Sequence, residues 1–362
     1  MGNVEVGRRL FAGLTVLVLA GGCAGASSMT SRAPTSEPTA TVATAAPTRT
    51  PTPTPTAVPT IGLPADGARI IAVDTNPTHL LVPTTRARDL TIDSPAVGHV
   101  IKIRLLLPNG FDAQPTTRWP VLYFLHGGSG TYSQWSEYFD VDALTAPTDL
   151  LVVMPEGGGQ EPGAATYSDW WNGGKGGPPM WETFHLVEVR QLLERNWHAG
   201  DKRAIAGFSA GSYGAMEYAE HQPGMFRFAG SYSGPLDVFG PGADHLWWGS
   251  PDNLWGDHVT NVDVWKAHDP TTNAAALEGT ALYVAYGNGV VGPLDNGQVS
   301  PFDPDGATER EIGIESALFV DRLAELKIPV TVYAYGNGTH NGPYMQRDFD
   351  RSFPLILKAL SR

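Results

Sequence analysis

Apolar and β-branched runs alternate with amphipathic stretches from about residue 66 to the C-terminus. Short apolar runs that end in Gly, Pro or a polar turn are typical of buried strands, and apolar positions with a 3.6-residue period indicate helices. The alternation predicts an α/β fold with a mostly parallel central sheet and helices on both faces. The predicted strands are 100–107, 120–125, 150–154, 204–207, 281–286 and 330–335, and the predicted helices are at about 182–197, 212–221, 308–327 and 343–360.

The composition supports one large folded domain. Hydrophobic residues make up 42% of the 362 residues and charged residues 17%, which is ample apolar material for a buried sheet covered by helices. We therefore predict a single catalytic domain over residues 61–362. The formal net charge of −13 would repel a phosphate backbone, so nucleic acid is not expected as a partner.

The first 23 residues predict export. A basic pair, Arg8 and Arg9, precedes an apolar stretch at 10–20 that is short for a membrane span, and Cys23 follows two glycines. Residues 1–23 are read as a signal peptide whose end resembles the lipobox of bacterial lipoproteins. The resemblance implies a diacylglyceryl anchor on Cys23 and a place on the outer face of the cell membrane. An ordinary secretory signal is the alternative, and the protein is exported under both interpretations.

A Thr/Pro-rich stretch follows at residues 24–60. This composition favours extended polyproline II and offers little to a core, so we predict a linker that holds the domain away from the membrane. Cys23 is the only cysteine in the chain, which excludes an intrachain disulfide, a zinc-thiolate cluster and a CxxC redox pair.

The sequence Gly207-Phe208-Ser209-Ala210-Gly211 matches the G-x-S-x-G pattern between a predicted strand and a predicted helix. In that context the pattern predicts a nucleophile elbow, where small neighbours allow a strained serine to project above the sheet. Ser209 is the predicted nucleophile. A glycine-rich turn with a structural serine is the alternative.

A serine nucleophile needs a base, and the base needs an acid that orients it. His340 is the predicted base because it lies in a turn after the last strand and before a helix. His221, His245, His258 and His268 are interpreted as surface or packing histidines.

The acid is harder to choose from the residues alone. Glu309 is the choice because it begins a helix after the strand at 281–286, the kind of position from which such an acid arises. Glu311 and Glu315 lie further along that helix, and Asp303 and Asp305 compete locally. A first-turn carboxylate favoured by the helix dipole is an equally good explanation of Glu309.

The loop His126-Gly127-Gly128-Ser129-Gly130 follows an early strand. Backbone amides of such a loop and of the residue after the nucleophile form an oxyanion hole in this type of enzyme. We assign the two amides to Gly128 and Ala210, and Gly127 lets the backbone approach the substrate. A flexible turn is the alternative.

Taken together, these segments resemble the esterase D and antigen 85 mycolyltransferase group of the α/β-hydrolases, from about residue 88 to the C-terminus. The motifs that carry the resemblance are Tyr123-Phe124-Leu125-His126-Gly127, Tyr167-Ser168-Asp169-Trp170, Trp181-Glu182-Thr183-Phe184, Gly207-Phe208-Ser209-Ala210-Gly211, Tyr232-Ser233-Gly234, Asp269-Pro270, Tyr286-Gly287-Asn288-Gly289 and Gly338-Thr339-His340. The resemblance implies the α/β-hydrolase fold. It also assigns the acid to Glu309, because the family's glutamate precedes a helical phenylalanine by the interval between Glu309 and Phe319, and it places the oxyanion amides on Gly128 and Ala210.

Two motifs depart from the trehalose-using mycolyltransferases. Their early loop reads Asp-Gly-Leu-Arg where this chain has 126–129, His-Gly-Gly-Ser, and their histidine motif reads His-Ser-Trp where this chain has 340–342, His-Asn-Gly. The departures imply that the acyl-transfer residues are kept and that the trehalose site is not.

The predicted function is a serine-dependent carboxylic ester hydrolase or acyltransferase, with an acyl ester as substrate and an acceptor alcohol for the transferase alternative. Neither a cofactor nor a metal is expected, and no protein partner is inferred. A non-catalytic carbohydrate-binding surface lipoprotein is the alternative from another class, and the complete set of Ser209, Glu309 and His340 argues against it.

Overall fold

The computed structural model describes residues 41–42, 66–158, 167–243, 250–298, 303 and 306–361. Contacts divide the chain into a unit Met1–Pro38 and a unit Thr39–Arg362, and all of the described residues belong to the second. The predicted signal peptide, including Cys23, lies outside the described residues, as does nearly all of the predicted linker.

One sheet organises the described residues. Its strands are β1 (Thr41–Val42), β2 (Arg69–Asp74), β3 (Ala87–Ser94), β4 (His99–Leu106), β5 (Trp119–Leu125), β6 (Leu151–Pro155), β7 (Ala199–Phe208), β8 (Phe228–Tyr232), β9 (Ala281–Gly287) and β10 (Val330–Gly336). The spatial order is β1-β10-β9-β8-β7-β5-β6-β4-β3-β2. The run from β10 to β6 is parallel, while β4, β3 and β2 at one edge and β1 at the other pair antiparallel.

Helices cover both faces of this sheet. They are α1 (Gln134–Tyr138), α2 (Val141–Thr145), α3 (Trp181–Thr183), α4 (Arg190–Asn196), α5 (Ala210–His221), α6 (Asp252–Trp255), α7 (Val262–Ala267), α8 (Pro270–Asn273), α9 (Ala307–Leu326) and α10 (Gly342–Leu360). A π-helical segment, Phe184–Val189, joins α3 to α4, and 3₁₀ turns occupy Asn172–Gly174, Ala274–Leu277 and Pro293–Asp295.

The central strand β5 shows why the sheet is buried on both sides. Tyr123 packs in a core with Phe319 of α9, whereas its neighbour Phe124 packs in a second core with Phe349 of α10. Successive side chains of a strand point to opposite faces, so a strand covered on both sides is apolar throughout. The predicted mostly parallel sheet between two layers of helices is therefore confirmed.

The predicted strands and helices are all present, with ends shifted by a few residues. Prediction missed β8, which has the sequence FAGSY, the edge strand β2 and its neighbour β3. Strand β8 contains small residues and lacks the β-branched run that usually indicates a strand. It is fully buried because β7 and β9 flank it. The short strand β1 falls within the predicted linker. None of the helices in the described ranges combines the length and apolar character needed to cross a bilayer.

Candidate active site

Ser209 occupies a sharp turn between β7 and α5. Its backbone angles are φ 54° and ψ −128°, a conformation that a residue with a side chain rarely adopts. The turn is tight enough that a Cβ on Gly207 would lie 2.2 Å from the carbonyl oxygen of Gly211, and a Cβ on Gly211 would lie 2.3 Å from that of Leu125. Only glycine fits at these two positions, so the small residues of the G-x-S-x-G pattern meet a steric requirement of the elbow.

The structure brings Glu309 and His340 into direct contact. Glu309 lies in the first turn of α9 and is fully buried, and His340 lies in the turn between β10 and α10. Nδ1 of His340 is 2.8 Å from Oε2 of Glu309. Because a carboxylate only accepts, Nδ1 carries the proton in this bond, and Nε2 of the neutral ring keeps a lone pair. That arrangement is the one a general base needs.

Three donors hold the other oxygen of Glu309. The Gly287 N–H donates to Oε1 at 2.7 Å, the Tyr335 hydroxyl at 2.8 Å and the Ser233 hydroxyl at 2.9 Å. Burial raises the pKa of Tyr335 well above its ordinary value, and the charge of Glu309 adds to the effect, so the phenol stays protonated and keeps donating. The carboxylate is thus fixed with Oε2 turned toward the imidazole.

Asp303 and Asp305 were the competing candidates for the acid. Asp303 instead accepts from the backbone N–H groups of Thr308 and Glu309 at 3.0 and 3.2 Å, which stabilises the start of α9. Asp305 lies outside the described residues. Among the three carboxylates, Glu309 is the one that the structure pairs with His340.

The sheet topology relates Ser209 to this pair. Ser209 follows β7, the Glu309 carboxylate contacts the end of β9, and His340 follows β10. The carboxyl ends of parallel strands meet at one edge, where neighbouring strands are about 4.8 Å apart. The Ser209 N–H donates to the carbonyl of Tyr232 at 3.0 Å, and the next residue, Ser233, is a Glu309 donor. All three predicted triad residues therefore lie at one edge of the sheet.

The two predicted oxyanion residues are also close together. A Cβ on Gly128 would lie 3.9 Å from the Cβ of Ala210, and both residues are partly exposed. Ala210 opens α5, where the first N–H groups have no acceptor within the helix. In the early loop the Gly127 N–H donates to the side chain of Gln134 at 3.2 Å. Of the two glycine N–H groups, that of Gly128 is therefore the better placed to bind an oxyanion.

His126 supports the same loop from inside. The ring is 1% exposed, and its Nε2 accepts from the Gly157 N–H at 2.8 Å. Nδ1 therefore carries the proton, and it donates to the carbonyl of Gly127 at 2.8 Å. The Tyr167 hydroxyl donates to the His126 carbonyl at 2.7 Å. His126 is thus a scaffold residue that fixes the backbone before Gly128.

Sequence reasoning missed Asp295, which fastens the loop that carries His340. The carboxylate is 4% exposed and accepts from five groups on either side of the turn. These are Gly292 N at 2.7 Å, Thr339 N at 3.3 Å, Thr339 Oγ1 at 2.6 Å, Asn341 Nδ2 at 3.4 Å and Tyr344 OH at 3.0 Å. Burial alone would raise the pKa of Asp295, but these hydrogen bonds outweigh it and lower the pKa below its ordinary value. In the sequence, Asp295-Asn296-Gly297 carries only a turn signal.

The Trp-rich segment is only partly described. Trp255 and Trp265 are buried and pack edge to face with ring centroids 5.1 Å apart, so both belong to a packed core. Trp247, Trp248 and His245 lie outside the described residues.

Comparison with known proteins gives the family. The sequence model of the family described as "Putative esterase" matches residues 94–297, more than half of the chain. The chain is 35% identical over 151 residues to esterase Rv1288 of Mycobacterium tuberculosis, a match that covers 40% of this chain and 31% of that protein. It is 26% identical over 289 residues to the diacylglycerol acyltransferase/mycolyltransferase Ag85B of Mycolicibacterium smegmatis, covering 75% of this chain and 84% of that protein.

Solved structures support the fold. An S-formylglutathione hydrolase from Agrobacterium tumefaciens is similar with a TM-score of 0.62 at 15% identity, over 80% of this chain and 99% of that one. At this identity the likeness establishes the α/β-hydrolase fold, in agreement with the strand order above. From the family match and the fold we conclude that the chain belongs to the esterase family of α/β-hydrolases.

Proposed function

We propose that this protein is a serine-dependent carboxylic ester hydrolase or acyltransferase that works through an acyl-enzyme on Ser209. The observation that carries the proposal is the Glu309–His340 hydrogen bond of 2.8 Å at the sheet edge where Ser209 sits in its strained turn. The family match and the similarity to an esterase and a mycolyltransferase support the same reaction class.

The reaction follows from these positions in two steps. Ser209 Oγ attacks the ester carbonyl carbon while His340 Nε2 takes the hydroxyl proton, and Glu309 holds the imidazolium that forms. The tetrahedral intermediate expels the alcohol, which takes the proton back from His340 and leaves the acyl group on Ser209. Water or an acceptor alcohol then attacks the acyl-enzyme with the same proton transfers, which releases an acid or a new ester.

The oxyanion is assigned to the amides of Gly128 and Ala210. Negative charge on the carbonyl oxygen develops beside the first turn of α5, whose partial positive charge favours it. Loss of one such donor typically costs about 3 to 4 kcal/mol of transition-state stabilisation. The loop geometry that His126 fixes is thus expected to matter nearly as much as the side chains.

We further propose that the acyl acceptor is not trehalose. Two of the positions that differ from the mycolyltransferase motifs are His126 and Asn341. The His126 ring is hydrogen-bonded to the buried backbone of Gly127 and Gly157, and the Asn341 amide donates to Asp295 at 3.4 Å. Gly342 has no side chain with which to contact a sugar. These residues therefore offer no equivalent of the Asp and Trp of the trehalose-using motifs.

The N-terminal sequence supports a proposed location. Export follows from the signal-like residues 1–23, and Cys23 is the proposed lipid anchor on the outer face of the membrane, with residues 24–60 as the linker. Metabolic labelling with a fatty acid tests the anchor, because Cys23→Ala should abolish incorporation while the protein is still made.

The activity is tested with p-nitrophenyl esters of increasing acyl length, with and without an acceptor alcohol. We expect turnover by the wild type and by Ser361→Ala, an exposed serine in the turn after α10, and at least a 10³-fold loss in Ser209→Ala. New ester formed with the alcohol would favour the transferase. Equal rates in the wild type and Ser209→Ala would contradict the proposal and favour a carbohydrate-binding role.

A further inference from the structure

A second cluster of histidines and carboxylates lies at the C-terminal end of α5. Glu217 and His221 belong to α5, Glu182 to α3, and His268 directly follows α7. One ligand atom each from Glu217, His221 and His268 lie within 4.8 Å of one another. A tetrahedral ion with bonds of about 2.1 Å separates its ligand atoms by about 3.4 Å, so small side-chain rotations suffice to bring the three onto one ion.

Each histidine turns Nδ1 toward a carboxylate. His221 Nδ1 is 2.9 Å from Oε2 of Glu182, and His268 Nδ1 is 2.6 Å from Oε1 of Glu217. His221 Nε2 is 2.9 Å from the carbonyl of Ala267, which can only accept. That contact places a proton on Nε2, so whatever lies between Nδ1 and Glu182 is either a second proton or a metal ion. Two electron-rich atoms at this distance require a proton or a metal cation between them.

The surroundings supply what metal ligands usually have. Ligating histidines commonly donate their other N–H to a backbone carbonyl, as His221 does to Ala267, and ligating carboxylates are themselves hydrogen-bonded. The Ser168 hydroxyl lies 3.0 and 3.1 Å from the two oxygens of Glu217. Trp255 stacks on the ring of His268 with centroids 5.0 Å apart and planes 8° apart, which fixes the orientation of that ring.

Carboxyl groups are concentrated at this place. Besides Glu182 and Glu217, Glu220 lies near enough to interact electrostatically with Glu217, and Glu220 is 4% exposed with no hydrogen-bond partner on either oxygen in the described part of the chain. The partial negative charge of the α5 C-terminus also favours a cation at this place.

We propose that Glu217, His221 and His268 bind one divalent transition-metal ion. Imidazole nitrogen with carboxylate oxygen is a donor set that suits Zn²⁺, whereas Ca²⁺ and Mg²⁺ prefer all-oxygen sites. Binding forms bonds from the ion to the two Nδ1 atoms and to an oxygen of Glu217, and any proton held between Nδ1 and a carboxylate leaves to solvent. The ion would tie α5 to the segment after α7.

This site is structural and separate from the proposed reaction. Glu217 lies eight residues beyond Ser209 on α5, which corresponds to about 12 Å along the helix. The proposal therefore stands or fails independently of the esterase activity. We instead expect the bound ion to stabilise the C-terminal end of α5.

Calorimetric titration of the metal-free full-length protein with Zn²⁺ tests the site. We expect one tight equivalent, release of protons seen as a dependence of the heat on the buffer, and a rise in Tm. The variant His268→Ala should bind at least 100-fold more weakly, and the exposed-histidine variant His99→Ala should bind as the wild type does. Co²⁺ in place of Zn²⁺ should give visible absorption bands in the wild type and lose them in His268→Ala.

Several results would contradict the metal-site proposal. If Zn²⁺ leaves the Tm of the wild type unchanged, or if His268→Ala binds Zn²⁺ as tightly as the wild type, the cluster is a proton-linked ion-pair network and the proposal is wrong. Should His268→Ala fail to fold, His221→Gln supplies the same comparison from the other imidazole. A response to Ca²⁺ or Mg²⁺ equal to that to Zn²⁺ would also contradict the assigned donor chemistry.

Discussion

Two carboxylate–histidine arrangements lie at opposite ends of α5, and they differ in what surrounds the carboxylate. At the N-terminal end, Glu309 has a single histidine on Oε2 and three neutral donors on Oε1. At the C-terminal end, His221 faces Glu182 and His268 faces Glu217, and the nearby Glu220 has no hydrogen-bond partner in the described residues. The same two residue types are thus set in opposite electrostatic surroundings.

The difference shows that the groups around a carboxylate–histidine pair determine which chemistry the pair can support. Neutral donors fix the Glu309 carboxylate without competing for His340, so the ring keeps one nitrogen for a substrate proton. The carboxylates beside His221 and His268, in contrast, favour a cation between the partners, and that cation can be a metal ion or a proton. Burial alone would lower the pKa of His221, but the hydrogen bond to Glu182 and the charges of Glu217 and Glu182 raise it to about 10.

The largest expected effect comes from Glu309→Gln. The amide can turn an N–H toward His340 and stabilise the wrong tautomer, so kcat should fall by about 10⁴-fold while the fold is kept. Glu325→Gln is the matched control, because that glutamate is exposed near the end of the same helix. Steady-state kinetics on one p-nitrophenyl ester compare the two variants. Similar kcat values in both would exclude Glu309 as the acid.

A smaller effect is expected from Asp295→Asn. The amide replaces an acceptor oxygen with a donor in front of Thr339 and Tyr344, so the loop that carries His340 loosens. We expect kcat to fall about 10- to 100-fold with KM nearly unchanged, in the range seen when a supporting residue is lost. A proportional loss of kcat and of folded protein would instead show that Asp295 serves stability alone.

The variant His268→Ala should show that the two ends of α5 act independently. His268→Ala should change kcat of the metal-free protein by less than about 2-fold, because the cluster does not contact the reacting atoms. Its Tm should no longer rise when Zn²⁺ is added, in contrast to the wild type. A kcat loss as large as that of Glu309→Gln would show that the two ends act as one unit.

The smallest expected effect is the pH dependence of stability contributed by Asp295. Its folded pKa is lowered, so its ionised form stabilises the fold above the unfolded pKa of about 3.9, and this contribution is lost as pH falls through the folded pKa. At pH 7, Asp295→Asn should lower the free energy of unfolding by about 1 to 3 kcal/mol. Urea unfolding should show that the gap to the wild type narrows below pH 4. A gap that stays constant would contradict the assigned shift.

Local signals in the sequence predicted most of the sheet and the residues that the structure gathers at its edge. Ser209 lies within a motif whose glycines are required sterically, and His340 lies in a turn after a strong strand pattern. The acid was less certain, since the position of Glu309 at the start of a helix favoured it only weakly over Asp303 and Asp305, and the resemblance added the stronger support. The structure separates them because one contacts His340 and the other caps the helix.

Long-range contacts explain what sequence patterns missed. Strand β8 contains small residues and is buried only because of the strands beside it. Asp295 acquires its role from donors 44 to 49 residues away. In the cluster of Glu217, His221 and His268, the third residue lies 47 residues beyond the second, so the spacing of two residues on one helix does not reveal the site.

The most direct test of the central claim is labelling of the folded protein with a fluorophosphonate probe, followed by mass spectrometry of the peptides. We predict one adduct per chain on Ser209, and much slower labelling of Glu309→Gln at an unchanged Tm. Absence of labelling in folded wild-type protein, or an adduct on a different serine, would contradict the assignment of Ser209 as the nucleophile.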